Sequence, residues 1–421
     1  MSTPTPAAPH KGSFPVRVLE DADAPGMLEI NGHAFGHTYE SGILDAERSL
    51  QEPGRSIGAF DGDTVIGTAT AFSFELTVPG GVVPAAGVSW VGVLPTYRRR
   101  GVLRALMAAQ LHDVRDRGHE PVAILWASEP AIYGRFGYGL ASQTLPMKVP
   151  RDPDALRADV PTDPGLRLRL VPAEDWKLTS DVYAAEARTR PGMIGRDDRW
   201  HEIAVSDFPS LREGNSALRC VVAEDGSGVR GYARYSTKRA WNGAVPSGTV
   251  YVRELLAADD AALAALYRYL FDLDLMTEVD LANVPVDTPL LHWLRNARVA
   301  RPTWRDGLYL RVLDVGRALS QRSYSIPVDV VLGVVDRDHP QNDGSWRLVG
   351  GPVGGRCERT DDTPDVTLGV AELGAVYLGG TELAGLAQAG RVQGRAGLDG
   401  GIEALSMAFR WSPQPWCPFV F

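Results

Sequence analysis

Three arginines and a glycine, Arg98-Arg99-Arg100-Gly101, stand between an apolar segment that ends at Pro95 and another that begins at Val102. Beyond the turn, Leu103, Leu106, Met107, Leu111 and Val114 recur at three- and four-residue spacings, the pattern of one helical face. A helix that starts directly after a tight turn leaves several backbone N–H groups unpaired and aims its positive end at the same place. With arginines beside it, such a terminus suits a phosphate, and a pyrophosphate above all. An arginine run is also the ordinary composition of a solvated face. Here the run sits at a strand-to-helix junction, with a glycine where backbone must come close, and that favours the anion site. No Gly-Lys-Ser/Thr follows, which excludes a Walker loop, and no Gly-x-Gly-x-x-Gly occurs at the turn, which excludes a dinucleotide fingerprint.

The elements that must position this turn alternate along the chain. Met27–Phe35 reads as helix, Val65–Phe74 and Val82–Val93 as strands, Val102–Val114 as helix, and Pro121–Ala127 as a buried strand. Residues 150–165 carry four prolines and four aspartates, the composition of a connector. A second α/β segment follows: strands near Leu166–Leu170, Ala217–Ala223, Gly231–Ser236 and Thr249–Leu255, then helix Ala261–Phe271. Its order repeats that of the first, as an old duplication would. From about Trp304 the pattern changes to strands Leu308–Leu313, Val328–Val335, Ser345–Val349 and Val366–Val370, with helices at Val315–Leu319, around Thr381–Ala389 and around Leu398–Phe409. The expected domains are therefore 1–150, 151–303 and 304–421. The last residues, Trp411–Phe421, are aromatic and apolar, unlike a frayed tail, and are expected to be buried.

With 421 residues the chain has length for about three domains. Lys and Arg number 43 against 52 Asp and Glu, a formal charge of −9. That balance argues against nucleic acid as a partner and favours cationic small molecules. Three distant cysteines, Cys220, Cys357 and Cys417, make no disulfide framework and fit a reducing cytoplasm. No window is apolar enough to span a bilayer, and Met1–Val18 has no apolar core, so no membrane association is expected.

The stretch Val91–Leu103 resembles motif A of the GCN5-related N-acetyltransferases (GNAT), whose Gln/Arg-x-x-Gly-x-Gly/Ala loop binds the pyrophosphate of acetyl-CoA; Leu103 stands in place of the last small residue. Downstream, Ala127-Ser-Glu-Pro-Ala-Ile-Tyr-Gly-Arg-Phe-Gly-Tyr-Gly139 resembles the corresponding segment of the Eis (enhanced intracellular survival) acetyltransferases. With the aromatic terminus at Phe421, the likeness covers the chain in outline. It implies two mixed-sheet α/β GNAT-like domains, the second without a cofactor, and a C-terminal α+β domain like sterol carrier protein. It further implies a homo-hexamer that transfers acetyl from acetyl-CoA to amines, aminoglycosides among them.

Carried over position by position, the likeness gives Val91, Gly92 and Val93 to the pantetheine arm. It gives Arg98, Arg99, Arg100, Gly101, Val102, Leu103 and Arg104 to the pyrophosphate, and Ser128 and Glu129 to the border of the cofactor. Tyr133 becomes the general acid at the departing thiolate, and the α-carboxylate of Phe421 the base for the amine. The chemistry is sound on its own terms, since a leaving thiolate benefits from a phenol donor and an ammonium must lose a proton before it attacks. An α-carboxyl is a weak base in water, and an apolar setting such as Trp416–Phe421 would raise its pKa. Two plainer readings compete: Tyr133 as a core tyrosine with a satisfied hydroxyl, and Phe421 as an apolar plug. Phe35, His37, Trp90 and Trp126 are assigned to the amine pocket, with core packing as the alternative for the tryptophans. His33 and His37, four apart, lack a third ligand, so no metal is expected. Family members that bind polycationic aminoglycosides place an acid just before the terminal Phe; here that residue is Val420. In the second domain Ala257-Ala-Asp-Asp260 replaces the arginine turn, so one acetyl-CoA per chain is expected. A regulator that binds acyl-CoA or lipid without turnover, and a peptide-lysine acetyltransferase, are the alternative functions.

Overall fold

The computed structural model describes residues 14–36, 41–395, 397 and 401–421. Contacts divide the chain into two compact units. One takes in the chain up to Phe74, then Pro84–Leu125 and the single residue Phe421; the other comprises Glu75–Val83 and Trp126–Val420.

In the first unit, strands β1 (Val16–Val18), β2 (Ser56–Asp61), β3 (Thr64–Val78), β4 (Gly81–Val93) and β5 (Val122–Trp126) follow one another in sheet order. Neighbours β1–β2 and β2–β3 are antiparallel, whereas β4 and β5 run parallel across the helix α3 (Val102–Arg117). A parallel pair needs such a crossover. Of the stripe read in the sequence, Leu106, Met107, Leu111 and Val114 are buried and Leu103 is only half-buried, while Val102 joins Leu106 of α3 against Ile57, Ala59, Ile66 and Ala69 of the sheet. Between β1 and β2 the chain forms α1 (Ala24–Phe35) and α2 (Ser41–Leu50), the second not anticipated from sequence.

The second unit contains a six-stranded sheet in the order Met147–Pro150, Met276–Leu281, Gly248–Ala257, Gly228–Lys238, Arg219–Asp225, Arg167–Val171. Helix Asp260–Phe271 covers one face through Ala262, Leu266, Leu270 and Phe271. On the other face the core of Tyr183, Met193, Cys220, Val222, Tyr232 and Leu256 includes Trp416, which comes from the end of the chain. A five-stranded sheet follows, in the order Gly354–Arg359, Gly344–Gly351, Val328–Val335, Val366–Gly369, Val392–Gly394. Strand Val366–Gly369 passes directly into a helix, Val370–Tyr377, that the sequence reading did not foresee. Seven of its eight residues are buried, so it shows no polar face and hence no helical periodicity to detect.

His201 sits in the second domain, stacked on Trp176 at 4.7 Å with the Tyr183 ring edge-on at 5.6 Å. Burial, and then the charge of Arg196, lowers its pKa to about 4. The unfolded chain takes up this proton near pH 6.5. The stability that the neutral ring contributes is therefore intact above pH 6.5 and is lost as pH falls through 4, by up to about 3 kcal/mol. In urea titrations from pH 7 to 4, His201→Gln is expected to flatten this loss relative to the parent; parallel curves would place the acid sensitivity elsewhere.

Candidate active site

Strand β4 carries the first piece of the site. Its parallel register with β5 runs Ala85 to Val122, Ala86 to Ala123 and Gly87 to Ile124, and then stops, so residues 88–93 have no partner on that side. Trp90 makes the break, with a φ of 51°, in the left-handed region that a tryptophan seldom adopts. The bulge is held by the Thr68 hydroxyl, which donates to the Trp90 carbonyl at 3.1 Å, and by the Phe72 ring, edge-on to the indole at 5.5 Å. Val91, Gly92 and Val93 follow directly, at the end of a strand whose backbone is open on one edge. Such an edge offers N–H and C=O groups to an extended amide-bearing ligand.

The turn between β4 and α3 supplies the second piece. Arg99 has a φ of 62° and Gly101 one of 92°, so two residues in three are left-handed before α3 starts at Val102. No side chain caps that start. A Cβ on Gly101 would meet no atom within 4 Å, so glycine is needed here for its conformation, and the space in front of the helix is open. Arg98, Arg99 and Arg104 are exposed, and Arg100 is half-buried over the Tyr97 ring at 5.1 Å. Many of the described arginines sit against carboxylates, as Arg55 does on Glu120, Arg169 on Glu224 and Arg311 on Asp336. The four at the turn have no carboxylate partner among the described residues. Uncapped N–H groups and uncompensated guanidinium groups together fit a pyrophosphate.

The end of the chain is the third piece. The Ser89 hydroxyl donates to a terminal carboxylate oxygen of Phe421 at 3.0 Å, across 332 residues of sequence. The Phe421 ring packs on Phe74 with centroids 4.9 Å apart. Both rings lie on Gly87, where a Cβ would come within 2.3 Å of Phe74 and 3.1 Å of Phe421. The carboxylate thus sits on β4, bonded to the residue preceding the Trp90 bulge. Nothing local in the sequence marks Ser89 for this contact. Asn31 was also missed, although a polar residue among the buried positions Met27 and Ile30 of α1 is a legible oddity. It is fully buried beside Gly92, and neither end of its carboxamide has a hydrogen-bond partner among the described residues. Phe35, at the end of the same helix, is exposed, and His33 faces Glu29 at 3.9 Å. His37 lies outside the described residues.

The remaining residues predicted from sequence belong to the second unit. Ser128 and Glu129 are exposed, and Glu129 precedes a short helix, α4 (Pro130–Tyr133). Tyr133 is 9% exposed, and its hydroxyl has no hydrogen-bond partner among the described residues. Buried tyrosines elsewhere are satisfied: Tyr183 donates to Ile194, Tyr324 to Leu319 and Tyr377 to Ala318. Tyr138, edge-on to Tyr133 at 6.0 Å, shares its unpartnered state. Burial, with Glu129 adding to it, pushes the Tyr133 phenol up to about 12, which keeps it protonated at any physiological pH. Trp126, assigned to the amine pocket, donates its indole N–H to the carbonyl of Phe419 at 2.9 Å.

The second domain provides an internal comparison. At the start of helix Asp260–Phe271 the Asp259 carboxylate accepts from the N–H groups of Ala261 and Ala262, each at 3.0 Å, and its other oxygen takes Arg230 at 2.8 Å. The chain's own anion caps this helix, and a phosphate there would be repelled. Among the described residues no three His, Cys, Asp or Glu side chains group as metal ligands, and no helix is long and apolar enough to cross a membrane.

Along its length the chain is similar to known acetyltransferases. Acetyltransferase (GNAT) domain families match residues 15–141 and 192–312, and a sterol carrier protein domain family matches 315–418. An uncharacterised N-acetyltransferase of Streptomyces avermitilis is 45% identical over 96% of this chain and 99% of its own. The N-acetyltransferase Eis of Mycobacterium tuberculosis is 35% identical over 88% of this chain and 91% of its own. Among solved structures, Eis1 of Mycobacterium abscessus superposes with a TM-score of 0.81 at 32% identity, over 97% of this chain and 100% of that one. An N-acetyltransferase with two GNAT domains and a sterol-carrier-like third, the chain belongs to the Eis family.

Proposed function

We propose that this N-acetyltransferase draws its acetyl group from acetyl-CoA bound at the first domain and transfers it to a primary amine of a cationic small molecule. The observation that carries this reading is the terminal carboxylate of Phe421, hydrogen-bonded to Ser89 beside the Trp90 bulge. An acidic group anchored on the open strand of a GNAT domain is a base for an incoming ammonium. Arg98, Arg99, Arg100 and Arg104, with the first N–H groups of α3 at Val102 and Leu103, hold the pyrophosphate; Val91, Gly92 and Val93 align the pantetheine arm. When bound, acetyl-CoA supplies an activated acyl thioester. An ammonium and a thioester become an amide, a thiol and one released proton. Phe421 takes the proton that frees the amine's lone pair, and Tyr133 donates a hydrogen bond at the sulfur as charge builds there. The chain's net charge of −9 favours cationic acceptors. Val420, 59% exposed, adds no carboxylate next to the base, so mono- and diamines are expected to outperform polycationic aminoglycosides.

Thiol release measured over a panel of monoamines, polyamines, aminoglycosides and lysine peptides tests this, alongside calorimetric titration with acetyl-CoA. Thiol release with a small amine and one equivalent of acetyl-CoA per chain are the expected results. Binding without release for every amine would instead make the chain an acyl-CoA-binding regulator, and two equivalents would contradict the assignment of the first domain alone.

A further inference from the structure

The second GNAT-like domain has no phosphate turn of its own, yet it is the element that grips the chain's last residues. Arg190 donates to the carbonyl of Gln414 at 2.9 Å, and Asp287 accepts from the Gln414 N–H at 2.9 Å. The Trp416 N–H bonds the carbonyl of Pro191, and its ring completes the domain's core. The Asn283 carboxamide uses both ends: Oδ1 accepts the Trp416 indole N–H at 2.8 Å, and Nδ2 donates to the Cys417 carbonyl at 3.0 Å. One step further on, the Phe419 ring lies under the Arg196 guanidinium at 4.5 Å and edge-on to Trp200 at 5.5 Å.

Arg196 is itself fixed. Its side chain is 2% exposed and paired with Glu254 at 2.7 Å; Tyr232 donates to the other Glu254 oxygen at 2.7 Å, and Arg234 approaches that oxygen at 3.3 Å. Two buried arginines on one buried carboxylate form a costly arrangement that a purely structural core does not need. What it provides is a planar cation held rigidly between two rings, Tyr183 at 3.9 Å and Phe419. Glu254 lies on strand Gly248–Ala257 beyond Val252, where the parallel register with Met276–Leu281 ends. In this strand the network occupies the stretch that corresponds to the open edge of β4.

We propose that the second domain is the seat that positions the catalytic tail, with Arg196 and Asn283 as its positioning residues; this rests on the reading of Phe421 as the base. Phe419 is two residues from the carboxylate, so loosening its seat widens the range of positions the carboxylate samples. Cys417, fully buried in the seat, reports its opening, since a buried thiol is inert to alkylation.

The test combines Asn283→Ala with a chain lengthened by one alanine after Phe421. In the parent background Asn283→Ala is expected to lower kcat about 10- to 100-fold, with KM for acetyl-CoA unchanged, and to speed iodoacetamide labelling of Cys417 severalfold by mass spectrometry. In the lengthened background the same substitution is expected to leave the residual kcat unchanged, because its effect passes through the carboxylate. Arg196→Lys, which keeps the charge on Glu254 but loses the planar stack, and Trp126→Phe, which removes one donor to the tail, are expected to show the same pattern in smaller measure. Equal losses in both backgrounds, or no change in kcat and Cys417 labelling, would overturn the seat. An undiminished kcat in the lengthened parent would instead overturn the reading of Phe421 itself.

Discussion

A chain bearing one extra alanine after Phe421 is expected to bind acetyl-CoA as the parent does and to turn over about 100- to 10,000-fold more slowly, the range for loss of a positioned base. The addition converts the carboxylate that accepts from Ser89 into an amide and moves the charge some 3.5 Å along the chain. Space beside it is already committed, because the Phe421 ring rests on Phe74 and Gly87. The contacts proposed for acetyl-CoA at Arg98–Arg104 come from other elements, so kcat and cofactor affinity are expected to separate. Ser89→Ala, which removes one hydrogen bond to the carboxylate and leaves the charge, is expected to cost only severalfold. A kcat within twofold of the parent in the lengthened chain would leave Phe421 as an apolar plug.

Tyr133→Phe is expected to lower kcat about 100-fold while KM for acetyl-CoA stays within twofold. The substitution keeps the ring packed against Tyr138 and deletes only a hydroxyl that has no partner among the described residues. With its pKa raised to about 12, the phenol is an acid roughly 3 to 4 pKa units weaker than an ordinary thiol, so complete transfer to a thiolate costs about 5 kcal/mol. On the proposed reading, Tyr133 then serves the transition state as a hydrogen-bond donor. It follows that the alkaline limb of the kcat profile does not belong to this phenol, which loses its proton only near pH 12. An alkaline limb near pH 9 that disappears in Tyr133→Phe would contradict this assignment, as would an unchanged kcat.

How far the sequence could be read depended on how local each feature is. The arginine turn was legible because its chemistry is written in consecutive residues: glycine for a left-handed φ, a helix start without a cap, charges with no acid nearby. The missing turn in the second domain was legible for the same reason, and Asp259 capping its helix supplies the detail. In its own residues the tail was visible only as an oddity, an apolar end with two tryptophans, and the family resemblance alone singled out Phe421. Its burial was expected, and Trp416 and Cys417 are buried. Its contacts with Asn283 and Arg196 were not legible, because a single asparagine in a connection and one arginine among many carry no periodicity. Trp126 shows the same limit: it was assigned to the amine pocket, and its N–H bond to Phe419, 293 residues away, could not be read from the sequence. Helix Val370–Tyr377 was lost to uniform burial, and strand Met276–Leu281 to an irregular pattern in which Met276, Val279 and Leu281 are buried.

The most direct test is to change the terminal carboxylate and nothing else, by semisynthesis of the chain with Phe421 ending in a carboxamide, and to compare kcat for a small amine with that of the semisynthetic acid. A fall of about 100-fold or more with acetyl-CoA affinity unchanged is the expected outcome. Equal turnover by acid and amide would contradict the role given to the chain's last residue.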